Sequence, residues 1–392
     1  MPHYSYLIIG GGMTAAAALQ GIREVDPQGA IAVLGREQQR PYKRPPLSKA
    51  LWKGTPLEDV WIDTAGQNIE LVPGRTAKAL DAERKRVTDD QGSVYTFDKL
   101  LLATGGTPRR FSWGGDDVIY YRTLDDYQRL RALSERGQRF AVIGGGFIGS
   151  EIAAALAMQG KDVALLFPGA AIGARAYGPD LAAFLNGYYQ QHGVEVLPGD
   201  TAEGLDRRGE RLALRTARGQ ELLVDGVIAG IGIEPNVGLA HDAGLEVDNG
   251  IVVDTLLRTS HPDIYAAGDV ANFYNPALGK RIRVEHEDNA NIMGKQAGRN
   301  MAGEQAPYEH LPFFYSDLFD LGYEAVGELD ARLEIVADWK EPFHEGVLYY
   351  LEQGRVRGVL LWNVWGQVDA ARHLIAEPGP FQPHDLIGRL PA

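Results

Sequence analysis

Two short apolar runs are each followed by glycines, a helix-forming stretch and a second apolar run. Runs of this length predict buried parallel strands, and the small and apolar residues after the glycines predict a helix. The sequence therefore predicts two β-α-β units about one domain apart, at residues 6–9, 16–25 and 30–34 and again at residues 140–143, 151–159 and 162–167.

The rest of the chain changes its pattern twice. Residues 194–233 alternate between polar and apolar positions, as antiparallel strands do, and from residue 311 aromatic residues join the alternation. This last part predicts four strands and a closing helix, at residues 315–321, 333–339, 346–351, 356–362 and 367–375. We predict three domains, the first interrupted by the second, which cover residues 1–109 with 237–310, residues 110–236, and residues 311–392.

The glycines between strand and helix have the spacing G-x-G-x-x-G/A. The first glycine allows a tight turn, the second lets the backbone approach a pyrophosphate, and the third position lets the helix pack closely on the strand. The helix then offers free N–H groups to the phosphates. One such motif is a weak signal. Two motifs in this context, starting at Gly10 and Gly144, predict two dinucleotides in one chain and electron transfer between them.

Charge and hydropathy exclude several classes of function. The net charge of −13 argues against affinity for nucleic acid or anionic membranes, because both need a basic surface. No apolar run approaches the ~20 residues that span a bilayer. The first strand begins near Tyr4 and leaves no room for a targeting leader, so we expect a cytoplasmic protein.

The sequence contains no cysteine. A thiolate metal site and an active-site dithiol are therefore excluded, and we predict no metal site. Electrons taken up by a bound cofactor must pass directly to an acceptor outside the chain.

Four segments together resemble the two-dinucleotide flavoprotein reductases. They are the two glycine motifs, the Ala-Thr-Gly turn at residues 103–105 and the Ala-Gly-Asp segment at residues 267–269. This resemblance implies an α/β fold of the glutathione-reductase-like type. Two Rossmann-like dinucleotide-binding domains, the first for FAD and the second for NAD(P)H, would be followed by a C-terminal α+β domain.

Further segments narrow the resemblance to one branch. The Arg-Pro-Pro-Leu-Ser-Lys block at residues 44–49 is similar to ferredoxin, rubredoxin and putidaredoxin reductases, monodehydroascorbate reductase and the apoptosis-inducing factors. Residues 144–151, 281–288 and 314–327 are most similar to the apoptosis-inducing factors. The resemblance covers essentially the whole chain and implies an apoptosis-inducing-factor-like, FAD-dependent NAD(P)H oxidoreductase.

The resemblance implies four catalytic residues. Lys49 would lie beside the isoalloxazine, where a cation stabilises the charge gained on reduction, and Glu151 would hold it there. Phe147 would shield the flavin until nicotinamide displaces it, and Tyr315 stands where the family often has tryptophan. The FAD contacts implied in the same way, beyond Lys49 and Tyr315, are Gly10, Gly11, Gly12, Met13, Thr14, Glu37, Arg44, Ala77, Arg122, Asp269, His286 and Glu287.

The sequence gives further detail on two of these contacts, the one with the FAD ribose and the one with the flavin pyrimidine. The acid expected on the FAD ribose is displaced, because the aligned position holds Arg36 and Glu37 follows it. Either Glu37 binds the ribose hydroxyls or Arg36 contacts the adenosine end differently. The helix that starts near Glu287 would direct its positive dipole end at the flavin pyrimidine and favour an anionic reduced flavin.

The donor site shows one departure from the family pattern. Its implied contacts are Gly145, Gly146, Phe147, Ile148, Gly232, Glu285 and Glu324. NADH-dependent enzymes normally hold the ribose 2′-OH with an acid after the second strand, and this position is Gly169 here. Arg175, further on, would suit a 2′-phosphate. The resemblance favours NADH, with NADPH as the alternative.

We therefore expect hydride transfer from nicotinamide C4 to flavin N5, and electron transfer onward to a small redox protein, a quinone or an oxygen species. One alternative is a slow redox sensor or scaffold of apoptosis-inducing-factor type, which forms a homodimer when reduced. Another is a ferredoxin or rubredoxin reductase in an oxygenase chain, which the acidic net charge disfavours.

Overall fold

A computed structural model describes residues 1–64, 66 and 68–391. Its α-helices are α1 Met13–Val25, α2 Leu124–Arg136, α3 Phe147–Met158, α4 Pro179–Gln191, α5 Gly238–Asp242, α6 Glu287–Met301, α7 Val368–Ala376 and α8 Pro383–Leu386. Short 3-10 helices cover Pro45–Ser48, Ala50–Lys53, Leu57–Val60, Gly115–Asp117 and Gly268–Val270. In this part of the chain, no helix is long and apolar enough to cross a bilayer.

The strands, numbered in chain order, are β1 His3–Ile9, β2 Ile31–Gly35, β3 Ile69–Pro73, β4 Ala77–Asp81, β5 Arg86–Asp89, β6 Val94–Leu102, β7 Gly106–Pro108, β8 Val118–Tyr120, β9 Arg139–Ile143, β10 Asp162–Phe167, β11 Val194–Pro198, β12 Ala202–Arg208, β13 Arg211–Thr216, β14 Glu221–Val224, β15 Gly226–Ala229, β16 Ile233–Pro235, β17 Ile251–Val252, β18 Ile264–Ala266, β19 Ala271–Asn275, β20 Lys280–Ile282, β21 Phe313–Leu318, β22 Leu321–Gly327, β23 Glu334–Glu341, β24 Glu345–Glu352 and β25 Arg355–Trp362.

The chain divides into two compact units. The first comprises Met1–Lys43, Pro56–Thr107 and Glu234–Pro312, and the second comprises Arg44–Thr55, Pro108–Ile233 and Phe313–Ala392. The division into three domains that the sequence predicts stays a prediction.

The first unit is built on a sheet in the order β3-β2-β1-β6-β5-β4, with β18 parallel to β6. Strands β3, β2, β1 and β6 are parallel, so their carboxyl ends and the loops that follow lie at one edge. Ile9 lies opposite both Leu34 and Leu102 in this register. The glycine motif after β1 therefore lies beside the loops that follow β2 and β6.

Glycines let helix α6 pack directly on α1. A Cβ atom at Gly294 or Gly298 would clash with the backbone of Thr14 or Ala18, respectively. Because these pairs advance together along both helices, the two helices run in the same direction. At 1.5 Å per residue, α6 begins about 10 Å before the level of Thr14. The first turn of α6 therefore extends past the start of α1.

The second unit contains a parallel sheet, β11-β10-β9-β15-β8, and two antiparallel sheets, β12-β13-β14 and β21-β22-β25-β24-β23. The predicted single strand at residues 315–321 is wrong, because β21 and β22 are separated by a hairpin turn. Phe319 in this turn has a φ of 62°. The apolar pattern continues across the turn without a glycine or proline, which is why the sequence does not reveal it.

Candidate active site

The first glycine motif lies in a close-packed turn of the first unit. Gly10 has a φ of 120°, and a Cβ atom there would clash with the carbonyl oxygen of Ala103. Only glycine fits this position, because L side chains rarely adopt such a φ. Helix α1 starts directly after Gly12, where an added Cβ would have no described neighbour within 4 Å. This leaves an open cradle in front of the first amides of α1.

The Ala-Gly-Asp segment closes on the same helix. Gly268 has a φ of 77°, and a Cβ atom there would clash with the Thr14 hydroxyl. The backbone carbonyl of the next residue, Asp269, accepts a hydrogen bond of 3.0 Å from Arg283. The first unit therefore brings together three of the four segments that carry the resemblance: the motif around Gly10, the turn at residues 103–105 and Asp269.

Glu37 lines a cavity of about 150 Å³ with Gly11 and Arg40. The Glu37 carboxylate accepts a 2.5 Å hydrogen bond from the Tyr42 hydroxyl, which fixes its orientation. Arg36 is exposed and does not line this cavity. The position of Glu37 is compatible with a contact to the FAD ribose, and this role stays a prediction. A cradle of glycines with a carboxylate two residues beyond β2 fits the diphosphate and ribose of a dinucleotide.

Sequence reasoning missed Arg40 in this cavity. Its guanidinium lies 5.0 Å from the centre of the Trp61 ring, a cation–π contact that holds the side chain in place. Its position just before the proline-rich block was the available signal. Ala77 lies at the start of β4 and packs against the core of the first unit.

The remaining predicted residues of the first unit lie around the start of α6. His286 is the residue immediately before this helix, and Glu287 and Asp288 form its acidic first turn. Asp288 is bonded to His310 over 2.6 Å. Glu285 forms an ion pair of 2.7 Å with Arg283, the residue that also binds the Asp269 carbonyl.

In the second unit, Lys49 and Glu151 form a buried ion pair. Lys49 Nζ lies 2.8 Å from Glu151 Oε1, with side-chain exposures of 12% and 2%. Two hydroxyls complete the carboxylate shell, since Ser48 donates to Oε2 over 2.5 Å and Ser316 donates to Oε1 over 2.6 Å. A buried carboxylate needs such partners, because burial without them costs several kcal/mol.

The pair is positioned by helix α3 and strand β21. Glu151 lies one helical turn after Phe147, and Ser316 follows Tyr315 on the strand. Neighbours on a strand point to opposite faces, so Ser316 is buried while Tyr315 is 36% exposed. Lys49 Nζ lies 5.3 Å from the centre of the Tyr315 ring. Three predicted catalytic residues, Lys49, Glu151 and Tyr315, therefore form one cluster.

Ser48 and Ser316 are functional candidates that sequence reasoning missed. Ser48 lies inside the Arg-Pro-Pro-Leu-Ser-Lys block, and Ser316 directly follows Tyr315, so both were next to predicted residues.

Two buried tyrosines extend the hydrogen bonds around the Glu151 carboxylate through Ser316. Tyr177 donates a 2.8 Å hydrogen bond to Tyr323, and Tyr323 also contacts Ser316. Burial raises the pKa of Tyr323 well above its ordinary value, so its hydroxyl stays protonated.

Arg44 and Arg122 also meet within the second unit. Arg44 Nη1 donates a 3.0 Å hydrogen bond to the Arg122 carbonyl oxygen. Asp126 anchors the other side of this segment by accepting from the Arg122 backbone N–H over 3.1 Å. Two arginines that the sequence separates widely are thus linked.

The second glycine motif repeats the strand–turn–helix geometry of the first. Gly144 has a φ of 118°, and a Cβ atom there would clash with the carbonyl oxygen of Gly230. The Phe167 ring packs against Gly145, and a Cβ atom added to Gly145 would lie 2.7 Å from this ring. Gly146 precedes α3 as Gly12 precedes α1.

Other predicted donor-site residues are also in the second unit. Phe147 is 39% exposed and contacts Phe314 edge to face, with ring centres 5.3 Å apart. Its neighbour Ile148 is 37% exposed. Gly232 has a φ of 93°, and Glu324 accepts a 3.2 Å hydrogen bond from the Gly366 N–H. An exposed Phe147 is not a core residue, which is compatible with a ring that a ligand displaces.

Two nucleotide-type glycine cradles, each directly after a strand with parallel neighbours, and a buried lysine–carboxylate pair define a two-dinucleotide-binding flavoprotein. Comparison with known families agrees with this class. The family model described as pyridine nucleotide-disulphide oxidoreductase matches residues 4–294, and the model described as the C-terminal part of apoptosis-inducing factor, mitochondrion-associated, matches residues 297–342 and 337–377. The chain belongs to the pyridine nucleotide-disulphide oxidoreductase family.

Individual relatives agree over most of their lengths. The chain is 36% identical over 370 residues to the ferredoxin reductase subunit of 5,5'-dehydrodivanillate O-demethylase from Sphingobium sp., covering 91% of this chain and 89% of that protein. It is 33% identical over 417 residues to apoptosis-inducing factor 1, mitochondrial, of Dictyostelium discoideum, covering 95% and 78%. The crystal structure of the covalent putidaredoxin reductase–putidaredoxin complex contains a similar chain, with a TM-score of 0.91, 31% identity and coverage of 98% and 95%.

These findings confirm the predicted fold class, cofactors and enzyme class. The protein is an FAD-dependent oxidoreductase that takes hydride from NAD(P)H and passes electrons to an external acceptor. Although the family name refers to disulphides, the sequence has no cysteine, so no dithiol within the chain takes part.

Proposed function

We propose that this oxidoreductase delivers its electrons to a small iron–sulfur redox protein, with Lys49 as the residue that favours reduction of the bound cofactor. FAD, when bound, would accept one hydride, which carries two electrons, and would release these electrons one or two at a time. The single observation that carries the residue assignment is the buried Lys49–Glu151 pair with its two serine donors.

The chemistry of Lys49 supports this role. A cation in a water-poor environment stabilises nearby negative charge more strongly than it would in water. Glu151 balances the lysine charge, and Ser48 and Ser316 fix the carboxylate, so the ammonium group is held in place before any ligand arrives. We assign Gly10–Thr14, Glu37 and Asp269 of the first unit to the FAD diphosphate, ribose and ribitol.

The choice of acceptor is supported by the names of two relatives. The Sphingobium relative is a ferredoxin reductase subunit, and the putidaredoxin reductase structure was solved with putidaredoxin attached. Since no cysteine is present, an acceptor must collect electrons from the cofactor without an internal relay.

Anaerobic stopped-flow mixing with NADH or NADPH, followed by an acceptor panel, tests the proposal. The panel contains a [2Fe–2S] ferredoxin with cytochrome c as final reporter, a quinone, oxygen and monodehydroascorbate. We expect rapid bleaching of the flavin and cytochrome c reduction that depends on ferredoxin. If a quinone or monodehydroascorbate is reduced much faster than ferredoxin, the acceptor assignment is wrong. If neither donor bleaches the flavin, the proposed function as an NAD(P)H oxidoreductase is wrong.

A redox sensor is the second candidate, and the match of residues 297–377 to the apoptosis-inducing-factor C-terminal model favours it. A sensor would turn over slowly and form the homodimer proposed from the sequence when reduced. Light scattering with and without NADH separates the two functions, because a catalytic reductase keeps its mass. The cytoplasmic location also stays a proposal, which cell fractionation tests.

A further inference from the structure

We propose that the donor site accepts NADPH and that Arg218 binds the 2′-phosphate of this nucleotide. The inference rests on the proposed function in taking the second glycine motif as the donor site. It concerns the loop after β10, where the family's ribose-binding acid is missing.

The strand register identifies the position that lacks the acid. In the first unit Leu34 lies opposite Ile9, the residue before the glycine motif, and Glu37 follows three residues later. In the second unit Leu166 lies opposite Ile143 in the same way, and three residues later the chain has Gly169. Residues 168–178 contain no aspartate or glutamate. The carboxylate that would bind a 2′-OH and repel a 2′-phosphate is thus absent at this position.

The loop is held in one conformation by hydrogen bonds. The Gly169 carbonyl oxygen accepts from the Gly199 N–H over 2.8 Å, and the Gly173 N–H donates to the Gly145 carbonyl oxygen over 2.8 Å. Asn186 of α4 donates to Ala170 and accepts from Ile172, each over 3.0 Å. Because this loop is hydrogen-bonded to the glycine motif, we expect it to form part of the surface that binds the adenosine end of the donor.

Arg218 places a guanidinium beside this loop. It is an exposed residue on the turn between β13 and β14. A Cβ atom added to Gly199 would lie 2.7 Å from Arg218 Nη2, so the guanidinium packs across the residue that binds Gly169. Guanidinium groups bind phosphate through two parallel hydrogen bonds. The cation therefore lies next to the position where the acid is missing.

The acid close to Arg218 is already engaged. Asp200 is 2% exposed, and its Oδ1 accepts from the backbone N–H groups of Thr201 over 2.8 Å and Arg218 over 3.2 Å. These bonds orient the turn that carries Arg218. Because Arg218 is an exposed residue, we expect a phosphate to reach its guanidinium.

Calorimetry on the holoenzyme with adenosine 2′,5′-bisphosphate and adenosine 5′-monophosphate tests the inference without any turnover. We expect the bisphosphate to bind about 10- to 100-fold more tightly, the effect of one charged hydrogen-bonded pair. Arg218→Ala should remove this advantage and leave the affinity for the monophosphate unchanged. Arg208→Ala, an exposed arginine of the same small sheet, is the control and should change neither.

A second variant restores the missing acid. Among the residues that the structure describes, a Cβ atom at Gly169 would meet only Ala171 O, at 3.7 Å, so Gly169→Glu is sterically tolerated. We expect it to reverse the preference towards the monophosphate. The inference is overturned if the wild-type protein binds both nucleotides equally, or if Arg218→Ala weakens both alike. If the bisphosphate binds as expected but neither NADH nor NADPH bleaches the flavin, the proposed function fails, whereas the assignment of Arg218 to the 2′-phosphate stands.

Discussion

Removing both partners of the Lys49–Glu151 pair should cost less stability than the two single removals added together. Glu151→Gln leaves the Lys49 ammonium, only 12% exposed, without its counter-charge. Lys49→Met leaves a buried carboxylate that keeps its hydrogen bonds from Ser48 and Ser316 but has lost its counter-charge. Breaking a buried pair from one side costs about 3–5 kcal/mol of unfolding free energy. The double variant has no buried charge, so we expect its cost to fall about 2–3 kcal/mol below the sum of the single costs.

Activity should separate from stability in the same series. Without the Lys49 cation, flavin reduction should slow about 100-fold, the effect typical of losing one preorganised electrostatic donor. The double variant should lose less stability than the two single costs added together, and its flavin reduction should stay slow. Denaturant unfolding gives the free energies, and anaerobic stopped-flow mixing gives the rates.

Lys53→Met is the matched control. Its ion pair with Asp317 is 2.9 Å long, but the two side chains are 42% and 35% exposed. Exposed pairs contribute about 0–1 kcal/mol, so this variant should keep both stability and rate. Costs for Lys49 and Glu151 that add within about 0.5 kcal/mol would refute the coupling. Reduction of the Lys49→Met protein at the wild-type rate would refute the role of the cation.

Three further outcomes are expected. Phe147→Ala should cost less than about 1 kcal/mol, because the ring is 39% exposed, and should increase the affinity for NAD⁺ in calorimetry, because no ring has to be displaced. Gly10→Ala should lower the free energy of unfolding by about 2 kcal/mol or more and abolish FAD retention. Gly12→Ala should keep the wild-type circular dichroism spectrum but lose FAD. At Asp263, burial raises the pKa but hydrogen bonds from two lysines outweigh it and lower the pKa to about 2. A lowered folded-state pKa gives stability above the ordinary pKa that is lost on acidification, so denaturant curves should show about 1–2 kcal/mol disappearing between about pH 4 and pH 2 in the wild type and much less in Asp263→Asn.

The sequence predicted those parts of the site that local spacing determines. The sequence predicted the turns at Gly10 and Gly144, because only glycine fits the positive φ that both turns require. It also predicted the strand before each turn and the helix after it. The Lys49–Glu151 pair came from the resemblance alone, since no local pattern connects residues so far apart.

What the sequence could not reveal depends on side chains meeting across the fold. Ser48 and Ser316 look like ordinary residues until the structure places both hydroxyls on one carboxylate. From the sequence, Arg218 is predicted to lie in a polar turn on the solvated surface. Its possible role becomes visible when the structure places its guanidinium beside Gly199, which binds Gly169. The hairpin at Phe319 was missed because an aromatic residue rarely marks a turn.

The two glycine motifs share a geometry but differ in their surroundings, and we expect this difference to keep one ligand bound while the other exchanges. Around Gly10, the backbone of Ala103 and the turn at Gly268 close on the start of α1, and Glu37 lines the adjoining cavity. A nucleotide seated there would be enclosed by three segments, so its release would require several contacts to break together. Around Gly144, the helix begins instead with the exposed side chains of Phe147 and of the residue after it. A ligand there has to move only an exposed ring, which favours rapid entry and departure of the donor.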